Sequence, residues 1–173
     1  MKTADTSRGE KRLKRYGNGW GIEYYDDVEN PILWIMQYGR DGIWTLKIMK
    51  IDERGAILLD DSNFTNKNPI PSEVRRDALD IWSKISGETI GSKSEEANIY
   101  GVWRIEFEER NNHVGRKPWI TLNNNRMYSQ DERGLRPRNQ DAKKASLPLS
   151  ILYRVDEAWD EIVAKEKSTV SVT

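Results

Sequence analysis

Residues 31–60 read PILWIMQYGRDGIWTLKIMKIDERGAILLD, and this run constrains the fold more than any other part of the chain. Apolar stretches of strand length, rich in Ile, Leu, Trp and Tyr, are cut by GRDG and DERG, two tetrapeptides of turn-forming composition. Asp opens a turn because its carboxylate accepts nearby backbone N–H groups, and Gly closes it by adopting positive φ without steric cost. The segment is therefore predicted to be an antiparallel meander. Within it Ile32, Trp34, Met36 and Tyr38 alternate with Leu33 and Ile35, so both faces are apolar and this strand should be central.

The flanking sequence extends the pattern. GIEYYDDV, from Trp20 onward, reads as a strand. PSEVRRDALDIWSKISG places Val74, Ala78, Ile81, Trp82 and Ile85 on one helical face, with Ser72 as N-cap, Glu73 and Asp77 at the positive end and Gly87 as terminator. GETIGSKSEEAN reads as a linker, IYGVWRIEFEE as a half-buried strand, and KPWITLN as its partner across RNNHVGR. Residues 123–146 are polar and rich in turn formers, which predicts a long exposed excursion. LSILYRV alternates like a strand, and DEAWDEIVAKEK reads as a short helix capped by Asp156. The expected fold class is α+β: an antiparallel β-sheet packed against one main amphipathic helix, with a short C-terminal helix and a flexible basic N-terminal arm. The expected divisions are the arm at 1–20, one α+β domain at 21–167 with a basic loop at 123–146, and a tail at 168–173.

DERG recurs at Asp131–Gly134. Aligning the two copies sets Ile57, Leu58 and Leu59 against Arg136, Pro137 and Arg138, so only the turn residues match. On this comparison the recurrence is turn chemistry used twice, with no internal duplication.

Several chemistries are excluded or weakened by composition. With no Cys there are no disulfides, thiolate nucleophiles or Cys-based zinc sites, which suits the cytosol or nucleus. The lone His113 sits in the turn NNHVG without a nucleophile elbow to serve, and no phosphate-cradling Gly loop with Lys-Ser/Thr is present. Gly17-Asn18-Gly19-Trp20-Gly21 lacks the preceding strand of a dinucleotide site and reads as a hinge. No catalytic residue, metal ligand or cofactor is assigned. The enzymatic alternative is a carboxylate- and magnesium-dependent hydrolase built on Glu106, Glu108 and Asp60 or Asp61. No window has the apolar length of a membrane span or a signal peptide.

Net charge is zero, from 28 basic and 28 acidic side chains, but the signs are segregated. Residues 1–15 carry six Lys/Arg against two acids and residues 110–144 carry nine against three. The candidate polyanion-binding residues are Lys11, Arg12, Lys14 and Arg15 in the arm, and Arg116, Lys117, Arg126, Arg133, Arg136, Arg138, Lys143 and Lys144 in the second segment. Tyr16 and Trp20 adjoin the first set and Tyr128 the second, so phosphate-seeking charge lies beside rings that stack on bases or enter a membrane interface. The expected partners are nucleic acid or ribonucleoprotein, an acidic membrane surface, and further copies of the chain, since oppositely charged segments of neighbours attract. A third reading is a host-interaction or anti-defence protein that blocks a partner through an exposed Trp20 or Trp119 patch.

The arm GEKRLKRYG, followed by IWTLKIMKI and PSEVRRDALDIWSKISG, resembles in organisation the matrix proteins of rhabdovirus-like negative-strand RNA viruses. That resemblance implies a non-enzymatic assembly protein working between ribonucleoprotein, membrane and copies of itself, in the cytoplasm or at a membrane. The sequence departs from many animal members in lacking Pro-Pro-x-Tyr; the nearest approach is Asn68-Pro69-Ile70-Pro71.

Overall fold

A computed structural model describes residues 10–26, 29–39, 42, 45–59, 69–109 and 116–172, with side chains to 168. The α+β expectation holds, with two antiparallel sheets where one was expected. The first is a five-stranded meander: β1 (Lys11–Arg15), β2 (Trp20–Tyr25), β3 (Leu33–Tyr38), β4 (Thr45–Asp52) and β5 (Gly55–Leu58). Helix α1 (Ser72–Ser86) follows it. The second meander comprises β6 (Glu95–Asn98), β7 (Gly101–Glu109), β8 (Arg116–Leu122), β9 (Asn125–Asp131) and β10 (Gly134–Pro137). A 3₁₀ turn (Gln140–Lys143) and helix α2 (Leu149–Val172) complete the chain.

The two halves are structural repeats, and the absence of duplication expected from the sequence is overturned by their strand registers. Ile22 faces Ile35 and Glu23 faces Trp34 across β2 and β3; Ile105 faces Ile120 and Glu106 faces Trp119 across β7 and β8. The third strand of each half breaks register immediately after that Ile, between Ile35 and Met36 and between Ile120 and Thr121. These bulges leave Ile48 and Met127 as the extra residues of β4 and β9, and both are buried. Trp20-x-Ile-Glu-Tyr of β2 then matches Trp103-x-Ile-Glu-Phe of β7, Trp34-Ile35 matches Trp119-Ile120, and Trp82 and Trp159 each stand eleven residues after the Pro that precedes their helix.

The two DERG segments close the fourth hairpin of each repeat. Asp52 pairs with Gly55 and Asp131 with Gly134. Each Asp carboxylate accepts the backbone N–H two residues on, from Arg54 at 2.8 Å and from Arg133 at 2.9 Å. Glycine is required at both ends. Gly55 has φ 125° and Gly134 φ 140°, and a Cβ there would lie 2.4 Å from the Leu147 carbonyl oxygen and 2.3 Å from that of Ile70.

Those close approaches mark where the repeats interlock. Ala56 and Leu147 exchange backbone hydrogen bonds of 2.8 and 2.7 Å, while Leu135 and Ile70 exchange bonds of 2.9 and 3.0 Å. Each repeat thus lends the residue two positions before its helix to the fifth strand of the other, bridging that edge. Both helices pack on the inner face of their own sheet and against each other, and one core joins Ile22, Ile35, Met49 and Trp82 to Trp103, Ile120, Tyr128 and Leu152.

Several local expectations are corrected. Lys11–Arg15, read as a flexible arm, is an edge strand registered on β2. Residues 123–146, read as an exposed loop, contain β9, β10 and the 3₁₀ turn, with Met127, Tyr128 and Leu135 buried. Residues 149–155, read as a strand, belong to α2, whose buried Ile151, Leu152, Val155, Ala158 and Trp159 follow a 3.6-residue period and which runs into the supposed tail. Asp156 is therefore no cap but a buried mid-helix residue. In α1 the cap position falls on Pro71, without a side-chain cap bond, and the Ser72 hydroxyl accepts from Arg75 instead. Gly87 ends α1 as expected, with φ 74° and its N–H on the Ser83 carbonyl at 3.0 Å. The linker reading of 87–98 missed β6, while His113, Asp60 and Asp61 lie outside the described residues.

Candidate polyanion-binding surface

Strand alternation sends Leu33, Ile35 and Ile120 into the shared core and turns Trp34 and Trp119 to the opposite face of each sheet, away from the helices. At the centre of β8, Trp119 gathers three cations. The Lys117 ammonium lies 5.0 Å from the ring centroid, and the Arg126 and Arg138 guanidinium carbons lie 4.4 and 5.9 Å away. Lys117 is two residues earlier on the same strand, Arg126 comes from β9, and Arg138 immediately follows β10. The ring's negative quadrupole favours this arrangement and covers Trp119 to 9% exposure, while Arg126 and Arg138 remain exposed.

Hydrogen bonds fix the platform. Trp119 Nε1 donates to Glu108 Oε2 at 2.9 Å, and Arg126 Nη1 lies 3.6 Å from Glu108 Oε1. The Trp119 N–H, helped by the charges of Arg126 and Lys117, holds the Glu108 carboxyl below its ordinary range, against the opposing effect of desolvation. Arg138 Nε donates to Ser129 Oγ at 2.9 Å, and its backbone N–H bonds to the Met127 carbonyl at 2.8 Å.

The first repeat carries the same device. Lys47, which precedes Asp52 by five residues as Arg126 precedes Asp131, sits 4.0 Å above the Trp34 centroid. Tyr25 meets Trp34 edge-on, with centroids 6.4 Å apart. Arg15 stacks over Tyr38 at 4.1 Å.

The sequence-derived residues fall into distinct groups. Lys117, Arg126 and Arg138 converge on Trp119. Arg133 is exposed at the adjoining hairpin, and Arg136 Nε bonds Asp131 Oδ2 at 2.6 Å. Arg116 stacks on Phe107 at 4.3 Å, and strand alternation puts both on the other face of the sheet. Lys143 and Lys144 flank the end of the 3₁₀ turn. Lys11, Arg12, Lys14 and Arg15 lie on β1, in the other sheet. There Lys11 pairs with Glu23, Arg12 with Asp26 at 3.0 Å and Lys14 with Asp77 at 2.9 Å. The two basic segments therefore do not merge into one patch. Trp34 and Lys47 were missing from the sequence-derived residues, while Trp119 and Glu108 were named only for the blocking and hydrolase readings; the recurring Trp-Ile pair, 34–35 and 119–120, was the available signal.

Of the carboxylates of the enzymatic alternative, Glu106 and Glu108 are the two among the described residues. Glu106 is exposed on the open face of β7, Glu108 is committed to Trp119 and Arg126, and its carboxyl is held low rather than raised. Among the described residues no group of three or more acidic or His side chains could hold a metal ion. Trp20 and Trp119 are 6% and 9% exposed, so neither forms the exposed patch a Trp-led blocking surface requires. No described helix is long and apolar enough to cross a membrane. The chain matches no protein-family model, no curated protein and no solved structure.

Proposed function

We propose that this chain is a non-enzymatic, self-associating binding protein that holds single-stranded nucleic acid on the outer faces of its two sheets. One observation carries the reading: a cation rests on an outward Trp at matching positions of both repeats, Lys47 on Trp34 and Arg126 on Trp119. Guanidinium and ammonium groups held this way sit ready for phosphates without first being ordered, and bases stack on guanidinium planes as well as on rings. A single strand suits a sheet face better than a duplex does. The exposed faces of the two helices are mixed in charge, Glu73, Arg76, Asp80 and Lys84 on α1 and Asp160, Glu161, Lys165 and Lys167 on α2, so neither offers a basic face to a major groove. Affinity is expected to come from phosphate contacts and counterion release, with little sequence preference. The proposed setting is the cytoplasm or nucleus, as part of a ribonucleoprotein assembly.

Fluorescence anisotropy with labelled single-stranded oligonucleotides tests the reading. Binding should weaken linearly in log salt and drop on charge reversal at Lys47 and Arg126 together. Absence of single-strand binding at low salt sinks it, and tighter binding to anionic vesicles or to duplex would move the assignment to that partner.

A further inference from the structure

Two sheets have four edges, and the interlock bridges two of them, β5 with Leu147 and β10 with Ile70. Among the described residues the remaining edges are β1 and β6, the outermost strands of the two repeats. β1 reads Lys-Arg-Leu-Lys-Arg and is exposed along all five residues. β6 reads Glu-Glu-Ala-Asn and alternates exposed with half-buried. An unbridged edge presents backbone N–H and C=O groups in a row, a template for a strand of another chain.

We infer that this chain self-associates head to tail, the basic edge strand β1 of one copy adding to the acidic edge strand β6 of the next. Charge selects the pairing. Two β1 edges would set four cations against four, and two β6 edges would set acids against acids. Only the unlike combination is complementary, and like charges directly opposite on paired strands are destabilising. A groove of about 460 Å³ runs beside β6, bounded on its far side by the Glu53–Arg54 turn and Pro148. Arg12 and Lys14 are each about half exposed, as are Glu95 and its partner Arg104, and exposed pairs of this kind exchange at little cost. Lys11 stays on the buried Glu23, and Glu96 is held by Ser150 and Lys93, so the exchange falls on Arg12, Lys14 and Glu95. Because the contact is heterologous, each added copy leaves one edge of each sign free, and growth continues unless a ring closes.

This inference rests on the self-association within the proposed function and names its surface. Sedimentation velocity on full-length, nucleic-acid-free protein tests it, in low and in high salt. Wild type should show mass rising with concentration at low salt and falling toward monomer at high salt. One variant, R12E/K14E/R15E, makes both edges acidic; a second, E95K/E96K, makes both basic. Each alone should be monomeric at low salt, with a circular dichroism melt confirming the fold, and an equimolar mixture should associate again. Should a reversed variant fail to fold, the neutral R12Q/R15Q and E95Q/E96Q pairs replace them, each expected to lower the association constant at least tenfold. Wild type that stays monomeric at low salt overturns both the edge contact and the self-association it rests on. Wild type that associates while every variant associates equally, or a mixture that stays monomeric, overturns the edge contact alone.

Discussion

Arg75 Nη1 and Asp156 Oδ1 lie 2.8 Å apart, joining the helix of the first repeat to the helix of the second, with their side chains 0% and 6% exposed. Arg75 also donates from Nη2 to Ser72 Oγ at 2.8 Å and to Gln130 Oε1 at 2.5 Å, and from Nε to the Ile70 carbonyl at 3.2 Å. The pair breaks the internal symmetry. Counted from the Pro before each helix, Arg75 corresponds to Leu152 and Asp156 to Leu79, both buried leucines. Burial pushes the Asp156 carboxyl up, against the pull of the Arg75 charge. Asp156→Ala leaves a buried guanidinium without its counter-charge and should cost about 3–5 kcal/mol. Arg75→Leu with Asp156→Leu copies the other repeat's solution and should cost less than the single change. Urea denaturation of the two variants decides it.

Both hairpin glycines should be irreplaceable to a similar degree. Gly55→Ala and Gly134→Ala each force positive φ on an L residue and drive a methyl into the carbonyl of the interlocking segment, at Leu147 or Ile70. Each substitution is expected to destabilise by about 2–4 kcal/mol. Gly87→Ala, with open space around its Cβ, should cost only about 1 kcal/mol. Equal tolerance of alanine at all three positions in thermal melts would contradict the interlock.

The repeat was present in the sequence but not at a fixed spacing. The Trp20/Trp103, Trp34/Trp119 and Trp82/Trp159 pairs are separated by different numbers of residues because the connecting loops differ in length, so the offset that aligns DERG, Lys47 with Arg126 and Ile48 with Met127 misaligns the Trp pairs. The meander of 31–60 was legible because turn chemistry and apolar alternation agree there. They disagree at Leu149, Ile151, Tyr153 and Val155, where an accidental period of two concealed the helical period of Ile151, Leu152, Val155 and Ala158 that packing selects. β9 was concealed for a different reason. Its outward residues are polar and its inward Tyr128 is a single aromatic, so composition resembled a loop while the ladder to β8 supplied the strand. Cations of the candidate surface were legible as charge; their seat on Trp119 depends on three strands meeting and has no local trace.

Asp131 should make the protein sensitive to acid. Burial alone would raise its carboxyl, but Arg136 and the backbone N–H groups of Arg133 and Gly134 outweigh that and hold it below the ordinary value. A carboxyl depressed in the folded state adds stability above its unfolded pKa, about 3.9, and this is lost as pH falls through the folded value. Asp131→Asn should therefore lower stability at neutral pH and flatten the decline below about pH 4, read from denaturation midpoints across pH.

The two roles of the Trp119 cluster separate in a salt series. Each cation that contacts a phosphate contributes about 0.7 to the slope of log affinity against log salt for a single strand. Arg126→Gln and Lys47→Gln should each flatten that slope by about this amount, and the double variant by about twice as much, because the two lie on different sheets. Trp119→Leu removes no charge, so its slope should stay near that of wild type. Its affinity should nevertheless fall by about tenfold, since Arg126 and Arg138 lose the ring that holds them, at about 0.5–1 kcal/mol for each exposed cation–ring contact. Trp119→Phe keeps a ring but not the N–H on Glu108, and should recover part of that loss. A Trp119→Leu variant that binds as tightly as wild type would mean the cations act alone and the ring beneath them is only packing.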